Sequence, residues 1–132
     1  MAKGKAYWKK KCDKLWREKI MARFGGRCAI CGATGYLNAH HLITRAAVFF
    51  RHNLENGVAL CPTCHNFGFD QDVEDRDQDV ISAHATPWAF EEWMEKNRPE
   101  QYEWWTKNRY AVTVGVAIDY EQVYHALEAA WH

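Results

Sequence analysis

Two Cys-x-x-Cys pairs are the feature that most constrains this chain. Cys28 and Cys31 form the first pair, and Cys61 and Cys64 form the second. Four thiolates in two such pairs match a closed tetrahedral zinc site, and the long interval between the pairs means that one ion would join a whole subdomain. We therefore predict one structural Zn²⁺ bound by these four cysteines. The fifth cysteine, Cys12, is expected to be an inert apolar side chain.

Covalent haem attachment is a rival interpretation, because Cys61-Pro-Thr-Cys64-His65 is also a Cys-x-x-Cys-His motif. Haem attachment generally requires export, and no apolar segment of a signal peptide follows the basic N-terminus. It would also leave the first cysteine pair without a purpose. Metal thiolates in a reducing compartment are therefore favoured, and we expect a cytoplasmic protein (in the host cytoplasm if it is phage-encoded). The sequence contains no run of about 18 apolar residues, so it predicts no membrane span.

Charge is distributed unevenly along a chain whose formal net charge is zero. Residues 1–27 contain ten lysines and arginines against two acidic residues, a net charge of +8. Residues 70–132 contain five against fourteen, a net charge of −9. Such a basic segment favours binding to nucleic acid, most simply double-stranded DNA, although a solvated helix face is the other interpretation. The residues expected to contact DNA are Lys9, Lys10, Lys14, Arg17, Arg23, Arg27 and Arg51.

The first half of the chain carries signals for helix and strand. Apolar residues at steps of three and four predict an amphipathic helix over residues 6–24, which Gly25 and Gly26 should end. Residues 36–43 are typical of a strand, Asn56-Gly57 is typical of a hairpin turn, and residues 58–60 are typical of a second strand. A helix should begin near the last cysteine.

The second half reads as mostly helical. The acidic residues 70–79 lack the glycine and glutamate of a calcium loop and predict a solvated insert. Thr86-Pro87 should cap one helix, Pro99 should open another, and Asp119 should cap the last. Residues 112–118 are a strand or an extended link. The tryptophans at helical spacing are interpreted as core residues: Trp88, Trp93, Trp104 and Trp105.

The adjacent histidines His40 and His41 point to chemistry. Neighbouring side chains on a strand face opposite ways, so both can serve one site only where the strand ends or bends. One imidazole could then bind a cation while the other accepts a proton from water near neutral pH.

The ordered set of two cysteine pairs, His40-His41, Asn56-Gly57 and His65 resembles the HNH endonucleases. Asn56 follows His41 by 15 residues, and His65 follows Asn56 by nine. The resemblance covers about residues 24–67, and residues 83–93 are also similar to phage-encoded members of this family. It implies an α+β protein with a zinc-clamped ββα-metal core at residues 28–69. A basic helix at residues 1–27 would precede the core, and the acidic insert and helices of residues 70–132 would pack on it.

Carried over by position, the resemblance implies a role for each motif residue. His41 would be the general base that activates water, and Asn56 would brace the loop that positions it. His40 and His65 would bind a catalytic divalent ion, Mg²⁺ or Mn²⁺. The expected products carry 5′-phosphate and 3′-hydroxyl groups. Three further residues are candidate phosphate contacts: Arg45 or Arg51 as the catalytic cation, and His52.

The third histidine ligand is where the chain departs from part of the family. Some relatives place it four residues after the His65 position, where this chain has Phe69. Other relatives place it shortly before the Pro-x-x-Phe-x-x-Trp segment, where this chain has His84. We therefore expect His84 as the third ligand, with a helix-entry role for His84 and ligation by Asp70 as alternatives.

These patterns together favour a metal-dependent HNH endonuclease or nickase that acts on DNA. The alternative is a zinc-stabilised nucleic-acid-binding module without catalysis, or a non-catalytic subunit of a phage packaging or recombination machine.

Overall fold

The structure is a computed structural model that describes residues 2–67, 81–113 and 115–130. The predicted acidic insert at 70–79, Phe69 and Asp70 lie outside the described residues. The elements are α1 (Lys5–Arg23), β1 (Asn38–His41), a 3₁₀ turn (Leu54–Asn56), β2 (Gly57–Leu60), a π-helical turn (Thr63–Phe67), α2 (Pro87–Asn97), α3 (Pro99–Asn108) and α4 (Tyr120–Ala129).

A two-stranded antiparallel sheet organises the centre of the molecule. His40 pairs with Val58, and His41 pairs with Gly57. The π-helical turn follows β2 directly, so that strand, strand and helical turn succeed one another as in a ββα core. The predicted α+β class is confirmed, although β1 is shorter than the predicted strand at residues 36–43.

The predicted hairpin turn at Asn56-Gly57 is wrong. Asn56 ends the 3₁₀ turn, and Gly57 has an extended backbone (φ −141°) and begins β2. A side chain at Gly57 would not fit, because an added Cβ would lie 2.6 Å from Ile20 and 2.7 Å from Trp16 of α1. Glycine is therefore needed here for the close approach of α1 to the sheet, and not for a turn.

Helix α1 packs by its apolar face, as its periodicity predicts. Cys12, Trp16 and Ile20 are buried and form one core cluster with Tyr120 and Leu127 at either end of α4. Gly25 and Gly26 both adopt positive φ (65° and 69°) after the helix, which allows the chain to turn sharply toward the first cysteine pair.

Helices α2 and α3 cover the second core cluster, which contains the sheet and the cysteines. Phe90, Met94 and Trp105 are buried there against Val58 and Leu60. Gln101 of α3 is also buried and donates hydrogen bonds to the carbonyls of Gly57 (2.7 Å) and Glu55 (2.9 Å), which anchors α3 to the start of β2.

Several smaller expectations for the second half are also settled. Asp119 caps α4 by accepting a hydrogen bond from the Gln122 amide (3.2 Å). Thr86 makes no cap bond to α2, because its hydroxyl is engaged by the backbone of Ser82.

Trp88 is 71% exposed, so its interpretation as a core residue is wrong. Within 112–118 the described residues form a link without strand pairing. None of the described helices has the length and apolar character needed to cross a bilayer.

Candidate active site

The four paired cysteines converge on one point. Their sulfur atoms all lie within 4.8 Å of one another, and the Cys31 and Cys61 sulfurs are 3.6 Å apart. Two sulfurs of a tetrahedral zinc site with Zn–S bonds of about 2.3 Å lie about 3.8 Å apart. A backbone hydrogen bond from Ala29 to Ala59 (2.8 Å) ties the first pair to β2. The donor set and its spacing therefore fit a structural zinc ion.

The thiols of this cluster also shift the pKa values of one another. The neighbouring Cys64 thiol and backbone N–H groups lower the pKa of Cys28, whereas the pKa of Cys64 is raised by its hydrogen bond to Cys28 and by burial. One thiolate is thus stabilised by its neighbours even without a cation. Binding of a cation would release the remaining protons, since the thiolate is the ligand form.

Three imidazoles converge at a second point. The ring centres of His40, His65 and His84 lie 4.6–5.1 Å apart, and one nitrogen from each lies within 4.8 Å of the others. The Nε2 atoms of His65 and His84 are 3.1 Å apart. Two nitrogens bound at right angles to one ion at about 2.1 Å lie about 3.0 Å apart, so this separation fits joint ligation.

Backbone contacts place His84 beside His65 despite the intervening residues. The His84 amide donates to the His65 carbonyl (3.0 Å), and the Ala83 amide donates to the Cys64 carbonyl (2.8 Å). The chain before α2 therefore runs along the π-helical turn, and this brings the third imidazole to the other two. The structure thus places the His84 imidazole in the cluster, whereas Asp70, the alternative ligand, lies outside the described residues.

Burial favours the neutral form, which a metal ligand requires, for two imidazoles of this cluster, His40 and His65. Burial lowers the pKa of His40 to about 3, with a further contribution from His65 and His84. Burial likewise lowers the pKa of His65. Nδ1 of His65 is buried without a hydrogen-bond partner among the described residues. The polar contact of this ring is therefore at Nε2, 3.1 Å from Nε2 of His84, where an ion bound by both rings would lie.

His41 lies on the neighbouring strand position but has different partners. Its Nε2 lies 3.0 Å from the Arg51 carbonyl, which can only accept, so Nε2 carries the proton and Nδ1 keeps its lone pair. The ring stacks on Trp16 of α1, with 4.1 Å between ring centres and 11° between planes. Burial lowers the pKa of His41 to about 4, so the imidazole is neutral at pH 7. The result is an oriented base.

Asn56 holds the loop that carries the Arg51 carbonyl. Its Oδ1 accepts from the Ile43 amide (2.6 Å), and its Nδ2 donates to the carbonyls of Ile43 and Phe50 (both 3.0 Å). The fully buried side chain thus joins both ends of the loop between β1 and the 3₁₀ turn. This geometry fits a bracing role, since all three hydrogen bonds of the amide go to the backbone of the loop.

Comparison with known families now adds to this geometry. Residues 28–67 match the family model described as HNH endonuclease. The match covers 40 of the 132 residues, and we call this matched segment the HNH domain. The resemblance seen in the sequence is thereby confirmed. Searches of curated proteins and of solved structures find no match for the chain.

Helix α1 holds the HNH domain by a residue that the sequence patterns did not single out. Asp13 accepts two hydrogen bonds from Arg51 (2.8 and 2.9 Å) and one from Nε2 of the buried His52 (2.6 Å). Burial alone would raise the pKa of Asp13, but the bonds from Arg51 and His52 outweigh it and lower that pKa. Arg51 and His52, both candidate phosphate contacts, are thus engaged within the protein. A signal existed, since Asp13 is the only acidic residue among the first 17.

Four histidines line one cleft of about 530 Å³. His40, His41, His65 and His84 all line it, and the exposed Arg45 joins them, as its predicted role requires. Two charged residues of the C-terminal helices, Glu91 and Arg109, also line the cleft and were not foreseen. A second cavity, of about 420 Å³, is lined mainly by apolar residues between α4 and residues 48–54 and lies away from the three-histidine cluster.

The basic residues of the N-terminal segment divide into two groups. Lys10, Lys14 and Arg17 are exposed, and their spacing of four and three residues places them on one side of α1. Lys9 and Arg23 are half-buried. Arg27 is exposed and donates to the Gly32 carbonyl (3.4 Å). Lys10 and Lys14 are therefore the part of α1 most available to a nucleic acid, since Arg17 also donates to the Leu37 carbonyl (2.9 Å).

Proposed function

We propose that this chain is a metal-dependent endonuclease that hydrolyses phosphodiester bonds in DNA by cutting or nicking. The observation that carries the proposal is the pairing of an oriented, unligated imidazole with three convergent ones in a single cleft. A nucleic-acid-binding module needs neither feature. The HNH family match supports nuclease-type activity.

In this proposal His41 is the general base. Its Nδ1 accepts a proton from water, while the Arg51 carbonyl holds Nε2–H and Trp16 holds the plane of the ring. Asn56 fixes the loop that presents this carbonyl, and Arg45 contacts the phosphate. A divalent ion on His40, His65 and His84 would supply Lewis-acid stabilisation of the phosphate and the leaving oxygen.

The donor sets of the two clusters suit different ions. Four thiolates suit Zn²⁺ in a closed structural site. Imidazole nitrogens suit transition metals, whereas Mg²⁺ prefers oxygen ligands and retains water. Of the two ions expected from the sequence, Mn²⁺ therefore fits the three-histidine cluster better than Mg²⁺.

The exposed basic side of α1 supports DNA as the substrate. Lys10, Lys14 and Arg17 would contact phosphates without regard to base sequence, which makes the binding steeply dependent on salt. The same residues also favour the second candidate, a zinc-stabilised DNA-binding module or a non-catalytic subunit of a phage DNA-processing machine. Cleavage of DNA distinguishes the two candidate functions.

Relaxation of supercoiled plasmid tests the proposal. We expect the zinc-loaded protein to nick plasmid with Mn²⁺, more weakly with Mg²⁺, and not in EDTA. His65→Ala should lose both bound Mn²⁺ and nicking while the zinc content stays at one per chain. His125→Ala is the matched control, because His125 lies exposed on α4 and pairs with Glu128. A protein that shifts DNA on a gel but cleaves it with no divalent ion would establish the binding module instead.

A further inference from the structure

We propose that Arg109, the residue that follows α3, binds a phosphate of the DNA backbone within the active-site cleft. This inference rests on the proposed nuclease function and adds a substrate contact from outside the HNH domain. Arg109 lines the same cleft as the four histidines. It lies more than 40 residues beyond the matched segment, which ends at residue 67.

The guanidinium of Arg109 is oriented in advance by two neighbours. Its central carbon lies 4.4 Å from the ring centre of the buried Trp105, and one of its terminal nitrogens forms an ion pair with Glu91 of α2. Arginine has five N–H donors, and the Glu91 contact engages one nitrogen. The other guanidinium nitrogens have no protein hydrogen-bond acceptor among the described residues, and the side chain stays 24% exposed.

This arrangement is better suited to binding a phosphate than to holding α2 and α3 together. A guanidinium held against an aromatic ring loses little freedom when it binds a phosphate through its remaining N–H groups. A partly exposed ion pair adds little to packing, and α2 and α3 already meet through Phe90 and Trp105, whose ring centres are 6.2 Å apart. Glu91 then serves to hold the arginine at the edge of the cleft.

The test compares the two partners of the ion pair. In the His41→Ala background, which prevents cutting, binding to a short fluorescent duplex is measured over a range of salt concentrations. Arg109→Gln should weaken binding about five- to tenfold at low salt, and should reduce the slope of log Kd against log salt by about 0.9, one phosphate contact. Glu91→Gln should bind as tightly as the parent or more tightly, since it removes a negative charge from the cleft.

Two further variants separate substrate binding from structural support. The double variant Arg109→Gln/Glu91→Gln leaves no charge unpaired, and it should fold like the parent yet bind as weakly as Arg109→Gln. Lys107→Gln is the matched control, because Lys107 is an exposed α3 cation that pairs with Glu103 and does not line the cleft. It should leave the salt slope unchanged.

Some results would overturn the inference. If both single variants weaken binding alike and the double variant recovers, the pair is only structural. If the Arg109→Gln slope equals that of the parent while the wild-type protein cleaves plasmid, the inference fails and the nuclease function stands. Binding losses as expected with no cleavage by the wild type would retain the phosphate contact and overturn the proposed activity. Absence of any duplex binding would contradict both.

Discussion

In the proposed mechanism, Asn56 serves the reaction without contacting the proton that moves. It is fully buried and makes three hydrogen bonds to the backbone of Ile43 and Phe50. An amide meets this requirement because it donates and accepts, whereas a carboxylate could not donate to either carbonyl. The loop it joins carries the Arg51 carbonyl that orients His41.

Replacement of Asn56 is therefore expected to affect stability and activity together. Asn56→Ala leaves three buried backbone groups without partners, and we expect a loss of at least about 2 kcal/mol in the free energy of unfolding, measured with urea. Nicking should fall because His41 loses its support. Asn53→Ala is the matched control, since this exposed asparagine only caps the 3₁₀ turn through the Glu55 amide. Its expected cost is about 1 kcal/mol. Equal stability and full nicking in both variants would refute the bracing role.

For individual residues, the sequence motif predicts most of the candidate site. The histidines, the asparagine and the cysteines were foreseen because their spacing carries the information. Trp16 and Asp13 could not be predicted, because both lie on α1, outside the motif. They are 25 residues (Trp16 to His41) and 38 residues (Asp13 to Arg51) from their partners. Only folding brings such pairs together, and no local pattern records it.

Helix α1 illustrates the same point for an element. Its periodicity predicts a helix, and its charge predicts a surface for DNA, but neither predicts that its inner face supports His41, the proposed general base. Trp16 stacks on His41, and its indole nitrogen donates to the Asn53 carbonyl (2.9 Å). Helix α1 thus presents basic side chains to solvent on one side and contacts His41 on the other.

The close contact between α1 and β2 leads to a prediction at Gly57. Gly57→Ala places a methyl group against Ile20 and Trp16, and one of them has to move. We expect a loss of about 1–3 kcal/mol in the free energy of unfolding, with reduced nicking because Trp16 positions His41. Gly4→Ala is the control, because a Cβ there meets nothing within 4 Å. A Gly57→Ala protein as stable and active as Gly4→Ala would contradict this packing.

The Asn56-Gly57 pair predicts a turn that the structure does not have, because a turn and a crowded strand end both select glycine.

The whole molecule consists of two core clusters joined at the sheet. One unites α1 and α4, and the other unites the sheet and cysteines with α2 and α3. The order and type of most elements could be predicted from the sequence, since periodicity and caps are local signals. Which helix covers which face could not, and Arg109 entered the cleft unforeseen for that reason.

Zinc should be essential to this architecture. In small zinc peptides the bound ion contributes roughly 10–16 kcal/mol, comparable with the stability of a whole domain. We expect Cys61→Ser to lose zinc and the cooperative thermal transition seen by circular dichroism. Cys12→Ala is the matched control, because Cys12 is buried outside the four-cysteine cluster and contacts the Tyr120 carbonyl. It should keep one zinc per chain and lose only part of its stability. Zinc content unchanged in Cys61→Ser would rule out the assigned site.

The central claim is that one neutral, unligated imidazole accepts a proton beside three imidazoles that bind a cation. Single-turnover nicking by His41→Ala, with bound zinc and Mn²⁺ measured in the same sample, tests it most directly. We predict that both ions stay at wild-type content while the nicking rate falls by about 100-fold or more, the usual contribution of a general base. Nicking at the wild-type rate, or loss of Mn²⁺ together with activity, would contradict the assignment.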